Sequence, residues 1–307
     1  TLSSSSAASD VYKRQDYLGT SLETMTWAAA LLAVTSKIKI FSTVHVPVFN
    51  PVVVAKMGAT LDHISRGRWG VNLVSGWSEK EFGMMGVKLL PHEERYQRTA
   101  AFIEILKGLW ADTPGTFNHH SAWYDVKDGY CLPQPKRMPE IANAGTSEDA
   151  KEMTTSLCDW AFISTPTVEA ISSIVEDISL RAAKKQKQVE CAAFPFVLWR
   201  DSEDEAQNEL EKIIAQKDEV AAQNWLDGLA IGSGSFDQFT LDMMTVGAGA
   251  VHVIGTAEQV ATKIKTMHDA GLKGVLMIFQ AYLQDTIRFR KEIMPLLYEM
   301  GVISKLS

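Results

Sequence analysis

The chain has 307 residues, 46% of them hydrophobic and 22% charged, which is enough for one large α/β barrel or two smaller domains. Its net charge of −7 argues against nucleic acid or an anionic membrane surface as the main partner, because either would be met by clustered lysines and arginines. Three widely spaced cysteines and apolar runs shorter than the roughly 18 residues of a membrane span favour a cytoplasmic protein.

The first fifteen residues, TLSSSSAASDVYKRQ, differ from everything after them. They are rich in serine and lack hydrophobic periodicity. We interpret 1–15 as a non-native or disordered tail, either translated adapter sequence at a broken end or a natural tail. Residues 16–307 are then expected to form a single domain.

Helices and strands alternate from Thr20 onwards. Thr20 and Glu23 have the spacing of a capping box for a helix that ends near Ser36. A strand is predicted over Lys37–Val46, and a second lies around residue 72, after a helix that follows Pro51.

The middle of the chain continues the alternation. A long helix is predicted over His92–Trp110, and Phe117–Cys131 is expected to be a hairpin or an irregular insertion. Strands follow at Glu140–Ala144 and Asp159–Ser164. Thr165 and Pro166 have the pattern of an N-cap and a first helical residue.

The last third of the chain repeats the pattern with one long interruption. Strands are predicted over Val189–Leu198 and Gly274–Phe279, and a final helix over Asp285–Tyr298. The glycine-rich segment Ala230–Gly249 is expected to be a long functional loop, with the role of a lid. Helix starts are marked by two capping pairs, Ser202 with Glu205 and Thr256 with Gln259.

Repeated β-then-α units predict a parallel sheet, and continuously apolar strands such as VLMIF indicate that both sheet faces are buried. An α/β fold of the (β/α)8 TIM-barrel type fits this pattern better than an open doubly wound sheet. Six barrel strands are predicted, near residues 40, 72, 142, 161, 193 and 276. Since a complete barrel has eight, we expect an incomplete barrel that lacks its first two strands.

The stretch RGRWGVNLVSGWSEKEFGMMG, residues 66–86, predicts a buried strand that leads into a polar and aromatic loop. Asn72 places an amide in the strand, where it needs a hydrogen-bond partner. Gly76 ends the strand, and Trp77 and Glu81 follow within five residues. Such a mixture is more typical of a functional site than of a simple connection.

Active sites of barrels lie at the carboxyl ends of the strands. The polar and aromatic residues predicted there are His45, Asn72, Trp77, Glu81, Ser147, Ser164 and Thr165. Neutral donors and aromatic rings predominate in this set, which does not suit a metal. His119 and His120 are adjacent rather than on one helical face, so no metal site is predicted.

Ser147 follows Ala144-Gly145-Thr146 and opens a helix, whose backbone N–H groups can bind a phosphate. An ordinary N-cap explains Ser147 equally well. Arg95 and Tyr96 favour the phosphate interpretation because a guanidinium and a phenol can complete an anion site.

These residues belong to a pattern that resembles the luciferase-like, FMN-dependent monooxygenases. The branch containing the pyrimidine oxygenase of uracil catabolism and the dimethylsulfone monooxygenases is the most similar. The resemblance covers residues 16 to about 301, and is carried by STVHVPVFNPVVVAKMGATLDHISRGRWGVNLVSGWSEKEFGMMG, EERYQR, PQP, NAGTS and VIGTAEQVATKI.

The resemblance implies a barrel of the bacterial luciferase type that uses reduced FMN and O2 on a small organic substrate of pyrimidine, sulfone or sulfonate type. A separate flavin reductase is the implied transient partner. The residues implied to bind the cofactor are Asn72, Glu81, Arg95, Tyr96 and Ser147. Trp77 is implied to line the substrate pocket, and His45 is a candidate for proton transfer or a packed core residue.

Two other functions stay open on the same fold: an F420-dependent reductase or dehydrogenase, and a flavin-binding protein without turnover. A homodimer formed through the apolar helix Trp27–Val34 is a further expectation. Nothing before Asp16 matches the family's first two strands, so this chain is expected to bind FMN poorly or not at all.

Overall fold

The computed structural model describes residues 22–77, 79–111, 116–165, 167–228, 242 and 245–304, without the side chains of residues 80, 81 and 224–228. The predicted tail at 1–15 lies outside these residues, as does most of the predicted lid. None of the described helices has the length and hydropathy that a membrane crossing requires.

The helices are α1 (Thr24–Val34), α2 (Pro51–Ser65), α3 (Glu79–Met84), α4 (His92–Trp110), α5 (Glu148–Leu157), α6 (Ala170–Lys184), α7 (Glu203–Ala215), α8 (Glu219–Gly228), α9 (Ala257–Asp269), α10 (Tyr282–Glu292) and α11 (Met294–Glu299). The strands are β1 (Ile40–His45), β2 (Trp69–Val74), β3 (Phe117–His120), β4 (Asp125–Gly129), β5 (Glu140–Asn143), β6 (Trp160–Ile163), β7 (Glu190–Ala193), β8 (Pro195–Trp199), β9 (Val251–Gly255), β10 (Gly274–Val275) and β11 (Ile278–Phe279).

The chain divides into two compact units. The N-terminal unit comprises Thr20–Ala161 and Arg181–Val189, and the C-terminal unit comprises Phe162–Leu180 and Glu190–Ser307. Parallel ladders are present in both, so the predicted α/β fold with a parallel sheet is confirmed. The predicted single domain over 16–307 stays a prediction.

The N-terminal unit is built on β1, β2, β5 and the start of β6, which pair in parallel in that order. Each residue of β1 aligns with one of β2, so Thr43 lies opposite Asn72 and His45 opposite Val74. Thr43, His45 and Asn72 lie on one face of the sheet. The other face carries Val44, Val71 and Leu73, which are fully buried. That alternation follows from the two-residue period of a strand.

The core of the N-terminal unit lies between this sheet and helices α1, α2 and α4. Trp69 and Trp110 pack edge to face with centroids 6.1 Å apart. A Cβ added at Gly58 would lie 2.5 Å from the Trp69 ring. Helix α2 can therefore pack this closely against Trp69 only because residue 58 is glycine. The predicted insertion at Phe117–Cys131 is confirmed as an antiparallel hairpin of β3 and β4.

The described strands of the C-terminal unit pair in parallel in two groups. One pairs β7 with β10, and the other has the order β11, β8, β9. The single strands predicted over 189–198 and 274–279 are therefore wrong. Each divides into two short strands, with β7 and β8 taking different partners. A change of ladder partner leaves no pattern in the apolar run 189–198, because both halves are buried. Leu276 in VLMIF is 40% exposed, so the predicted burial of both faces of that run is wrong.

Strand β9 was missing from the sequence prediction. It forms the longest register in the C-terminal unit, five residues opposite β8 from Pro195 with Val251 to Trp199 with Gly255. VHVIG is short and contains a histidine, and only its last three residues belong to the motif VIGTAEQVATKI.

Three predicted helix boundaries are also wrong. Glu23 is itself the N-cap of α1, where its carboxylate accepts from Met25 N at 2.9 Å, and Thr20 lies outside the described residues. Thr165 donates to the carbonyl of Thr167 at 3.1 Å instead of capping α6. The last helix is interrupted at Ile293, because Pro295 has no N–H with which to continue it.

Candidate active site

The carboxyl ends of β1 and β2 carry the first predicted site residues. His45 and Asn72 lie on the same sheet face, since Thr43 aligns with Asn72 and His45 is two residues beyond Thr43. The His45 ring packs edge to face on Phe82, with centroids 5.7 Å apart, and Phe82 is fully buried on α3. Trp77 is half-buried in the connection between β2 and α3.

Asn72 holds a buried acceptor that no other described group satisfies. Its Nδ2 donates to Thr43 Oγ1 at 3.3 Å. Its Oδ1 is buried and has no hydrogen-bond partner among the described residues. An unsatisfied buried acceptor costs about 1–3 kcal/mol, so this oxygen is suited to accept from an N–H group of a ligand.

Helix α4 holds the turn that follows β2. The Arg95 guanidinium donates through Nη1 to the carbonyl of Gly76. Thr99 and Ser75, both buried, share a hydroxyl hydrogen bond of 2.8 Å. Gly76 has φ of +108°, and an added Cβ would lie 2.7 Å from the Phe82 ring, so only glycine fits this turn.

Arg95 also keeps an unused donor. Its Nε is buried and has no partner in the described part of the chain. A guanidinium with a spare buried N–H beside a strand end is suited to an anionic or carbonyl group of a ligand.

Tyr96 lies against the turn between β5 and α5. A Cβ added at Gly145 would lie 2.6 Å from the Tyr96 hydroxyl oxygen, which shows how closely the phenol approaches this turn. Asn143 ties the turn to the neighbouring strand, because its Nδ2 donates to Leu73 O at 2.7 Å and its Oδ1 accepts from Gly145 N at 2.8 Å.

Ser147 is the N-cap of α5, as the capping pattern predicts. Its hydroxyl accepts from Ala150 N at 3.3 Å. Capping satisfies one of the backbone donors of the first turn, and the others stay available to an anion.

The structure thus places His45, Asn72, Arg95, Tyr96 and Ser147 on contacting elements of the N-terminal unit. The strand register places His45 and Asn72 on the same sheet face. Arg95 donates a hydrogen bond to the turn after β2, and Tyr96 lies against the turn that leads to Ser147. Glu81 lies on α3, and its side chain is outside the described part of the protein. Ser164 and Thr165 lie in the C-terminal unit.

Sequence reasoning did not identify four residues that support this site. Thr43 receives the Asn72 amide, Ser75 and Thr99 join β2 to α4, and Asn143 joins β5 to β2. Asn143 stands in the NAGTS motif, which was a usable signal. The other three are common residue types, and only their contacts distinguish them.

Asp62 and His63 have structural contacts. Asp62 is buried and accepts from Lys136 N at 2.6 Å, and His63 contacts Gln134 O at 2.8 Å. No group of three or more potential metal ligands occurs among the residues that the structure describes. Burial raises the pKa of the Cys158 thiol to about 12 and that of Cys191 to about 11, so neither thiol is a nucleophile at neutral pH.

Two curated relatives match most of the chain. The FMNH(2)-dependent dimethylsulfone monooxygenase of Pseudomonas putida is 34% identical over 289 residues, which cover 91% of this chain and 79% of the relative. Pyrimidine monooxygenase RutA of Acinetobacter baylyi is 30% identical over 292 residues, covering 90% of this chain and 77% of the relative.

Solved structures show the same fold at lower identity. The long-chain alkane monooxygenase LadA superposes with a TM-score of 0.82 at 22% identity, covering 93% of this chain and 75% of that one. DmoA from Hyphomicrobium sulfonivorans gives 0.80 at 20% identity, covering 92% and 72%. Residues 7–274 match the family described as luciferase-like monooxygenase, in agreement with the resemblance in the motifs. The chain therefore belongs to the luciferase-like monooxygenase family.

Proposed function

We propose that this protein is an FMNH2-dependent monooxygenase that oxygenates a small organic substrate of pyrimidine, sulfone or sulfonate type. A separate flavin reductase supplies the reduced FMN. The relatives named above are monooxygenases of this kind, so the predicted enzyme class and cofactor are confirmed at the level of the family. The observation that carries the proposal to this chain is the pair of unsatisfied buried atoms, Asn72 Oδ1 and Arg95 Nε.

The residues present fit FMN. The isoalloxazine ring carries an N–H group that can donate a hydrogen bond to Asn72 Oδ1. The phosphate can accept hydrogen bonds from Arg95, from the Tyr96 hydroxyl and from the backbone N–H groups that follow Ser147. Glu81 completes the proposed cofactor set. The donors and acceptors lie on β2, α3, α4 and the start of α5, so a long ligand with one polar ring and one anionic end could contact all of them.

Bound reduced FMN supplies the electrons with which O2 is reduced, one oxygen atom passing to the substrate and the other to water. The protein orients the cofactor through Asn72 and Ser147. Phe82 and Trp77 provide apolar surface that keeps water away from the reacting atoms. His45 contacts Phe82 at the same strand end and is the candidate for holding or moving a proton.

The dimethylsulfone and pyrimidine names of the relatives direct the choice of substrates to test. The experiment combines the full chain with NADH, FMN, a flavin reductase and 18O2, and offers dimethylsulfone, uracil or methanesulfonate. Substrate-dependent appearance of one 18O atom per product, measured by mass spectrometry, is the expected result. The reductase alone is the control for uncoupled peroxide chemistry.

Two outcomes would contradict the proposal. Reduction or oxidation that runs with F420 and needs no O2 would favour the reductase alternative, whose fold is shared by an F420-dependent secondary alcohol dehydrogenase at a TM-score of 0.72 and 16% identity. FMN binding without any product from the three substrates would favour a flavin-binding protein. The incomplete barrel that lacks its first two strands and the homodimer through Trp27–Val34 stay predictions.

A further inference from the structure

Two helix N-termini meet beside Tyr96. Helix α4 begins at His92, and His92 Nδ1 lies 3.0 Å from Asp149 Oδ2 in the first turn of α5. The His92 ring also packs on Tyr96, with centroids 5.1 Å apart and planes inclined by 55°. His92 therefore contacts both the phenol and the helix turn that the proposed function assigns to the FMN phosphate.

The first turn of α5 carries a charge that opposes such a ligand. Glu148 and Asp149 directly follow Ser147. Carboxylates at a helix N-terminus stabilise the helix, but they repel a phosphate that approaches the same backbone donors. Glu93 and Glu94 in the first turn of α4 add more negative charge nearby.

Each of the two acids of α5 contacts a residue of another helix. Glu148 pairs with Arg181 of α6 at 2.7 Å, and also with Lys151 of α5 at 3.4 Å. Asp149 receives the imidazole of His92. Both partners of the His92–Asp149 contact are about half exposed, with 47% of each side chain accessible. They can therefore be changed without opening a cavity in the core.

We propose that His92 is a positioning residue for the phosphate end of FMN. Its hydrogen bond to Asp149 Oδ2 engages this carboxylate, which otherwise repels the phosphate, and its ring packs on Tyr96 beside the β5–α5 turn. The inference rests on the proposed function, because it assumes that FMN binds at this turn. It predicts that His92 matters for FMN and not for riboflavin, which lacks the phosphate.

The test is a fluorescence titration of the full chain with FMN and, separately, with riboflavin. His92→Phe keeps an aromatic ring beside Tyr96 but cannot donate to Asp149. Asp149→Asn removes the carboxylate charge. His120→Phe is the matched control, because His120 also pairs with an aspartate, Asp125 at 3.4 Å, but on the hairpin. Thermal unfolding of each variant confirms that it folds.

His92→Phe is expected to weaken FMN binding about three- to tenfold, the size expected for loss of a partly exposed hydrogen bond to a carboxylate. The double variant His92→Phe/Asp149→Asn is expected to return to within about twofold of the wild type. Riboflavin binding is expected to change less than about twofold in all variants, and His120→Phe should leave both affinities unchanged.

Equal effects of His92→Phe on FMN and riboflavin would overturn the inference, because they would indicate a general structural defect. Failure of Asp149→Asn to restore binding in the His92→Phe background would overturn it too, as would unchanged FMN affinity in His92→Phe. A wild-type chain that binds neither flavin would overturn the proposed function together with this inference. If the wild-type chain binds FMN, the results for the variants test the role of His92 independently of the proposed function.

Discussion

The N-terminal and C-terminal units share the parallel β-then-α pattern but differ in whether their buried polar side chains have hydrogen-bond partners. In the N-terminal unit, Asn72 Oδ1, Arg95 Nε and His119 Nε2 are buried and have no hydrogen-bond partner among the described residues. In the C-terminal unit, every buried side-chain nitrogen or oxygen of the described residues is hydrogen-bonded. Trp199 donates to Glu292 at 2.6 Å, and Arg200 pairs with Glu209 at 3.5 Å and with Gln280 at 3.0 Å.

The difference separates stability from binding. A paired polar group contributes to the fold, whereas an unpaired buried group costs free energy unless a ligand completes it. Paired polar groups are therefore typical of a scaffold, and unpaired buried groups are typical of a binding site. Matched substitutions in the two units test this comparison, since the same chemical change should affect flavin binding in one unit and only stability in the other.

Arg95→Met should have the largest effect. It removes the donor to Gly76 O and the spare Nε donor, and we expect FMN affinity to fall about ten- to hundredfold, as for loss of a charge-assisted hydrogen bond. Flavin fluorescence titration measures the change. Arg200→Met is the matched control and should leave FMN affinity unchanged while lowering thermal stability slightly. Equal losses of affinity in both variants would refute the division between the units.

Asn72→Leu should separate binding from stability in one residue. The variant loses the acceptor, so FMN affinity is expected to fall about tenfold. The midpoint of thermal unfolding should stay level or rise, because an unsatisfied buried oxygen disappears and only a weak 3.3 Å bond to Thr43 is lost. Gln280→Leu in the C-terminal unit should do the opposite, with normal FMN affinity and reduced stability. A large stability loss in Asn72→Leu would show that the amide is structural.

Ser147→Ala and Ser202→Ala compare two helix caps. Ser147 caps α5 and Ser202 caps α7, with bonds of 3.3 Å and 3.2 Å to a backbone N–H. Each substitution should lower the free energy of unfolding by about 1 kcal/mol. Only Ser147→Ala should also weaken FMN binding, by about three- to fivefold. Denaturant unfolding and flavin titration distinguish the two effects, and equal flavin binding in both variants would reduce Ser147 to an ordinary cap.

Glu292→Gln should have the smallest effect, and it should appear in the pH dependence of stability. Hydrogen bonds from the Arg288 guanidinium hold the pKa of Glu292 below its ordinary value of 4.5. A lowered pKa in the folded state means that the carboxylate stabilises the fold above pH 4.5 and that this contribution is lost as the pH falls further.

The contribution is below about 1 kcal/mol, because the pair is more than one third exposed. Urea unfolding between pH 3 and 7 should therefore show a shallower acid loss in Glu292→Gln than in the wild type. Glu299→Gln, on the exposed face of α11, is the control and should follow the wild-type slope. FMN affinity at pH 7 should be unchanged in both variants.

The sequence predicted the elements whose signals are local. Helix α4 begins and ends where its periodicity indicates, and Ser147, Ser202 and Thr256 cap the helices that their spacing predicts. Boundaries set by distant partners were predicted poorly. The division of residues 189–198 between two ladders depends on β9, β10 and β11, and an apolar run reads the same whether it has one partner or two.

The sequence by itself determined the family, the parallel α/β pattern and the residue types at the strand ends, because motifs and capping signals are written in short stretches of chain. Only the tertiary structure decided which of those polar groups lack partners and which are satisfied. Asn143 and Thr99 resemble ordinary polar residues until the fold brings them to Leu73 and Ser75. Hydrogen-bond satisfaction is a property of distant segments meeting, so it can be assessed only once the chain is folded.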